Sequence, residues 1–561
     1  MNSEEATYHA TTDDNGQSSS QAHSKARHAK ATPRISTARR WTHFPSVAIY
    51  KLKSRQTAVF IVLLFVTVLA HFYAADLKGI WIDEAIRLTI ANGGLATAPF
   101  EKRHPAHDAD VLKAMEDFVT ANAGHEGQPA YVLLVNRILR LTHSYSVVPI
   151  VTTNLLIFLL SAVGIYLLAR FLLSAWGALL SLLLYLWNGF AMVHVLQVRE
   201  YPLILCLFVW NTFFFYWFFK ASLSAGRRIF WWITLAHCLT AGAALYTTYW
   251  APFFLWSQAV IALLELRRNP RPALTVWASL GVAGLSWLPW LLKMPRSLAL
   301  LRLFDTRPSS LALLLARLQA GTEHLLIGSQ QTGLSLLTIY YWLVLTVLIG
   351  GMVYFALRFL RQRFEIQHLV LTTLGLLAFQ IGYFFFFEPL STRPRYFILY
   401  LPYVALLIPI TLSRLLRWVA RSTARRAWLQ SALLLLMATA GLGQIRSNYK
   451  NPYVDHGPDF RQVYRYLASR VAPSDKIVVG DIRNLMALNY YWPSPSQIQF
   501  AYPAKPEDRT RAHPKIWIVS WRYDDIPAYR AYVSRLESLG YELTATQIIS
   551  RVTVRCFQRG P

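Results

Sequence analysis

VVPIVTTNLLIFLLSAVGIYLLA (residues 147–169) and FLLSAWGALLSLLLYLWNGFAMV (residues 171–193) stand back to back, with Arg170 as the single charge between them. A helix crossing a hydrocarbon layer about 30 Å thick needs roughly 20 apolar residues. Each run meets that length, so the pair reads as two consecutive membrane spans. Windows of the same kind recur at 57–75, 201–219, 230–250, 251–264, 273–292, 335–357, 369–387, 396–413 and 427–443, about eleven in all. The stretch 230–264 is divided at Tyr249 to Pro252, because one helix of that length overshoots the bilayer. With 54% hydrophobic and 14% aromatic residues among 561, the chain has more apolar side chains than one soluble core could bury. The expected fold class is an α-helical polytopic membrane protein.

The net charge of +27 invites a nucleic-acid partner, but the placement of the charges argues for a membrane side instead. Basic residues crowd the segment before the first span (Lys25, Arg27, Lys30, Arg34, Arg39, Arg40, Lys51, Lys53, Arg55). They return at every second connection, at Lys220, Arg227 and Arg228; Arg267, Arg268 and Arg271; Arg358, Arg361 and Arg363; and Arg414, Arg417, Arg421, Arg425 and Arg426. The loop after the first span carries nine Asp and Glu against seven Lys and Arg. By the positive-inside rule the amino-terminal tail is cytoplasmic, and the loop holding GIWIDEA (79–85) faces outward. An odd number of spans puts the carboxyl-terminal segment outside as well. The expected location is the cytoplasmic membrane.

Three parts follow. Residues 1–55 are a basic tail too polar to pack, residues 56–443 a membrane body with long outer loops at 76–146 and 293–334, and residues 444–561 a small extracytoplasmic α/β domain. The first span is longer than a secretory h-region, which favours an uncleaved anchor over a signal peptide. Cys206, Cys238 and Cys556 supply no disulfide framework. In the first loop, Val111, Met115, Phe118 and Val119 recur at helical spacing, which fits either a helix lying on the membrane surface or an ordinary packed helix. In the end domain DFRQVYRYLASRV reads as a helix, KIVV and KIWIVSW as strands, YRAYVSRLESLGYEL as a helix ending near Gly540, and SRVTVRCF as a last strand.

Three charged clusters stand at the mouths of spans. Asp83 and Glu84 follow the first span; such acids either cap a helix and set topology or accept a proton from an incoming hydroxyl. HVLQVREYPL (194–203) brings Arg199, Glu200 and Tyr201 to the edge of hydrocarbon, as a salt bridge between helix ends or as an anion site. EPLSTRPRYFILYLP (388–402) places Arg393 and Arg395, with Tyr396, on the side that the charge bias leaves poor in arginine. Snorkelling explains an interfacial arginine, and binding of an anionic headgroup explains one that opposes the bias. All three clusters fall on one membrane side, as a lipid-phosphate substrate requires. His104, His107 and His125 lack the spacing of a metal site.

WIDEA, GQPAYVLLVNRIL, QVREYPL and RPRYFILYLP, in this order, resemble the dolichyl-phosphate-mannose protein mannosyltransferases and the bacterial lipid A aminoarabinose transferases, across about 56–443. The resemblance implies a GT-C type membrane glycosyltransferase with a polyprenyl-phosphate sugar donor and inverting displacement. It implies Asp83 as the catalytic carboxylate and matches Glu84 to the second acid of that pair, Arg199 and Tyr201 to the arginine–tyrosine motif of the second outer loop, and Arg395 and Tyr396 to the late one. From their chemistry alone, Arg199, Arg393 and Arg395 are expected phosphate contacts, and Glu84 and Glu200 are expected to position Asp83, the acceptor or a cation. Many bacterial relatives carry Glu two residues before the loop arginine, where this chain has Gln197, which weakens the case for a divalent cation; no cofactor is certain. Membrane lipid and the lipid-linked donor are the expected partners, with no nucleic acid. The acceptor stays open among protein, lipid A, glycan and lipid, as does the sugar. The rival reading is a transporter or flippase of a lipid-linked or amphipathic anion. Transporters often betray internal repeats and Gly or Pro breaks near mid-span; this sequence shows no clear repeat, and its charged groups cluster at one face instead of the midplane.

Overall fold

The computed structural model describes residues 54–77, 82–91, 109–115, 129–143, 146–221, 227–292, 310–327, 336–386, 394–419, 422–450, 459–479, 482–492, 497–500, 513–521 and 527–560. The basic tail, His104, His107, His125, Phe118, Val119 and Arg393 lie outside these residues, as does the side chain of Asp83.

Among the described residues nineteen α-helices and five strands follow in chain order. The first part holds α1 (Ser54–Leu77), α2 (Ile82–Ala91), α3 (109–115), α4 (Pro129–Thr142), α5 (Val148–Leu172), α6 (Ala175–Leu186) and α7 (Gly189–Val195). Next come α8 (Tyr201–Ala221), α9 (Arg227–Leu245), α10 (Ala251–Glu265), α11 (Pro270–Leu291), α12 (Leu311–Ile327), α13 (Leu336–Leu357) and α14 (Phe364–Phe386). A 3-10 segment, Pro394–Tyr400, runs directly into α15 (Leu401–Val419), and α16 (Thr423–Lys450) follows. The end of the chain holds α17 (Phe460–Ala468), β1 (Lys476–Val479), α18 (Ile482–Tyr491), β2 (Ile498–Phe500), β3 (Lys515–Ser520), α19 (Pro527–Ser538), β4 (Tyr541–Ile549) and β5 (Val552–Arg559).

Over its described residues, each apolar window of the sequence is mainly helical. Among the described residues seven helices are long and apolar enough to cross a membrane, and up to eight if the bent pair α6 and α7 is one span. Ala58–Ala70 within α1 and Ala251–Glu265 are apolar but shorter. Burial ranks the spans: the most apolar stretch of Pro394–Val419 is 83% inside the bundle, against 22% for that of Pro270–Leu291. The first is the central post of the bundle and the second lies at its surface. Where α5 and α8 cross, a Cβ on Gly164 would press into Val209, so the close approach requires a glycine.

The α6–α7 pair bends by 55°. Asn188 sits at the bend and caps α7, its Oδ1 accepting from the Ala191 N–H at 2.9 Å. Its Nδ2 donates to the Leu325 carbonyl of α12 at 2.5 Å.

The carboxyl-terminal unit is a five-stranded sheet in the order β2-β1-β3-β5-β4, with β1 parallel to β2 and β3, and β5 antiparallel to β3 and β4. Helices α17 and α18 cover one face and α19 the other. Helix α19 stops just before Gly540, where the sequence reading ends it; Gly540, at φ 81°, turns the chain into β4, a strand that reading did not include. The sheet face under α17 and α18 shares one continuous apolar core with α2, α3, α4, Ile150 and Val198. Val111 and Met115 are buried in that core, so α3 is a packed helix and not one lying free on a lipid surface.

Candidate active site

Helix α2 is amphipathic and short, and its ends are fastened. At its start Glu84 is buried, and its Oε1 accepts the Val198 N–H at 2.8 Å. One turn on, the Nη2 of Arg87 meets Oε2 of Glu200 at 2.7 Å, with the two side chains 5% and 19% exposed. At its far end the Ala91 carbonyl accepts from Nδ2 of Asn136 on α4 at 2.7 Å. The first two contacts join α2 to the loop between α7 and α8, across more than a hundred residues of sequence. Asp83 occupies the residue before Glu84 on the opening turn.

That loop is held from below as well. The Tyr131 hydroxyl donates to Oδ1 of Asn154 at 3.2 Å, and Nδ2 of Asn154 donates to the Gln197 carbonyl at 2.6 Å. The Gln197 side chain accepts from Nδ1 of His194 at 2.9 Å. Gln197 is therefore a structural tie of the loop. Among the described residues no three His, Cys, Asp or Glu side chains gather as metal ligands.

Two arginine–tyrosine pairs face each other at this end of the bundle. Arg199 donates through Nη1 to the Tyr201 hydroxyl at 3.3 Å, with its guanidinium carbon 5.8 Å from the ring centroid. Arg395 donates through Nη2 to the Tyr396 hydroxyl at 3.3 Å, its guanidinium carbon 5.1 Å from that ring. Burial, and then the neighbouring Arg395, hold Arg199 below the ordinary arginine range. It stays a cation at any physiological pH. Burial works to raise the Glu200 carboxyl, but Arg87 and then Arg199 outweigh it and keep it below the usual carboxylate range.

Glu84, Arg199, Glu200, Tyr201, Arg395 and Tyr396 thus come together, although they start in three separate stretches of sequence. Arg87, Tyr131 and Asn154 belong to the same assembly and were missed in the sequence reading. Arg87 alone left a signal there, since it lies three residues from Glu84 and so on the same helix face. Glu200 pairs with Arg87, not with its chain neighbour Arg199. The arrangement offers two fixed cations for an anion, beside a helix whose opening turn carries two acids.

No family model matches the chain, and no curated protein does so either. Among solved structures the chain is similar to ArnT from Cupriavidus metallidurans bound to undecaprenyl phosphate, at 14% identity and a TM-score of 0.49, over 90% of this chain and 99% of that one. The chain is also similar to an Archaeoglobus fulgidus oligosaccharyltransferase tethered to an acceptor peptide containing the NVT sequon, at 13% identity and a TM-score of 0.40, over 86% of this chain and 73% of that one.

Proposed function

We propose that the chain is a GT-C type membrane glycosyltransferase. It moves one sugar from a polyprenyl phosphate to an acceptor hydroxyl at the outer face of the cytoplasmic membrane. The observation that carries this reading is the meeting of the Arg199–Tyr201 and Arg395–Tyr396 pairs beside α2. Guanidinium forks at a span mouth suit a phosphate whose lipid tail stays in the bilayer.

In the proposed reaction the acceptor oxygen attacks the anomeric carbon from the face opposite the phosphate. Asp83 takes the hydroxyl proton, the bond between anomeric carbon and phosphate oxygen breaks, and polyprenyl phosphate leaves with its new charge between Arg199 and Arg395. Glu84 and Glu200 act on position: one fixes the Val198 amide and the other fixes Arg87, so that α2 and the arginine loop keep one spacing. Arg393 is proposed as a further phosphate contact on the strength of the motif alone.

The test is transfer from radiolabelled polyprenyl-phosphate sugars to membranes by the purified chain. Asp83→Asn is expected to lower turnover at least about a hundredfold, the scale of a lost general base, with donor affinity kept. Undiminished transfer removes Asp83 as base. Movement of the intact donor across the bilayer without transfer replaces the reading with a transporter.

A further inference from the structure

Helix α12 lies outside the cluster of acids and arginines, yet it touches the supports of both cations. On one side Gly321 packs on the buried ring of Phe397, and a Cβ at Gly321 would overlap that ring. Phe397 belongs to the same 3-10 segment as Arg395 and Tyr396. Three residues later, on the same helix face, His324 meets Phe190 with ring centroids 5.7 Å apart. Phe190 meets His194 at 4.5 Å, and His194 meets Tyr201 at 4.6 Å. Tyr201 in turn accepts the hydrogen bond from Arg199.

The end of α12 is anchored independently of these rings. Besides the Asn188 contact at Leu325, Nε2 of Gln444 donates to the Leu326 carbonyl at 2.8 Å, and Oε1 of Gln444 accepts the Gly189 N–H at 3.0 Å. The helix is thus fixed to the α6–α7 bend while its Gly321 face sets the 3-10 segment. Like charges drawn together away from bulk water repel, so their spacing has to be imposed by the surrounding packing.

From these contacts we infer that α12 is a spacer that sets the separation of Arg199 and Arg395, with Gly321 and His324 as positioning residues for a polyprenyl-linked phosphate. The inference rests on reading the two arginines as a phosphate site. A side chain at 321 has to move Phe397, and a close-packed interior does not yield without shifting its neighbours. Arg395 then moves off the phosphate, although the substitution touches neither arginine.

The experiment uses the purified full chain with decaprenyl phosphate as the probe. Amide hydrogen exchange over 394–400 is measured in parallel without the probe. Gly321→Val is expected to raise the Kd about tenfold and to speed exchange over 394–400, as overpacking of this size would. Gly321→Val combined with Phe397→Ala is expected to return both toward wild type. Gly321→Ala gives a smaller change of the same sign if the valine variant does not fold. An unchanged Kd and exchange in the single variants, or no recovery in the double variant, overturns the spacer. Faster exchange over 394–400 in Gly321→Val, together with a wild-type chain that has no affinity for the probe, supports the spacer and overturns the phosphate reading.

Discussion

Arg87 shows how much of this site depends on one pairing. It is buried, and its partner Glu200 comes from the far side of a long stretch of sequence. Breaking a buried ion pair by removing one charge leaves the other uncompensated, so Glu200→Gln is expected to cost about 3 kcal/mol of stability at pH 7, read from denaturant unfolding. The pH dependence has a fixed sign. Arg87 and Arg199 depress the Glu200 carboxyl against the opposing effect of burial. Its stabilisation is therefore complete above the unfolded carboxylate value near 4.3 and is lost as pH falls through the lower folded value. The difference between wild type and Glu200→Gln should stay constant from about pH 8 to 6 and narrow below about pH 4. A difference that closes between pH 8 and 6 contradicts the pairing. Glu84, Arg199, Glu200 and Arg395 were legible as candidates because charge at the edge of hydrocarbon is costly and stands out in a sequence. Their partners were not legible, since the Glu84–Val198 and Arg87–Glu200 contacts exist only once α2 has docked.

Among the elements, α2 and α18 depend on each other. The helix proposed to carry the base has no core of its own; it packs against α4 on one side and α18 of the carboxyl-terminal unit on the other. The Tyr490 phenol of α18 hydrogen-bonds the backbone of Val147 at the mouth of α5, and burial, then Glu84, push it up to about 12. Leu488 is fully buried in the shared core. Leu488→Ala is expected to cost about 2–5 kcal/mol. Its particular signature is faster amide exchange in Ile82–Ala91 as well as in the sheet. Faster exchange confined to the sheet would mean that the two parts are energetically separate. Periodicity revealed α17, β1, β3, α19 and β5 in the sequence. It did not reveal β4, where residues 542–548 are exposed on both faces, so no alternation marks the strand. Nor did it reveal the work of α12, whose helical spacing says nothing about which rings it meets.

At the scale of the molecule, length and apolar composition located the apolar helices, because a bilayer imposes that length whatever the sequence in between. The sequence holds about eleven such windows, whereas among the described residues seven or up to eight helices are long and apolar enough to cross. The convergence of 82–91, 196–201 and 394–400 at one end of the bundle is a property of packing, and hydropathy carries no trace of it. The account stands on what occupies that end. The most direct measurement is an electron cryomicroscopy map of the full chain in a lipid disc with polyprenyl phosphate. The account predicts headgroup density about 3 Å from the guanidinium groups of both Arg199 and Arg395, the distance of a charge-assisted hydrogen bond. The Asp83 carboxylate should stand about one sugar ring away. Headgroup density at the bilayer midplane, or at an end of the bundle remote from both arginines, would contradict it.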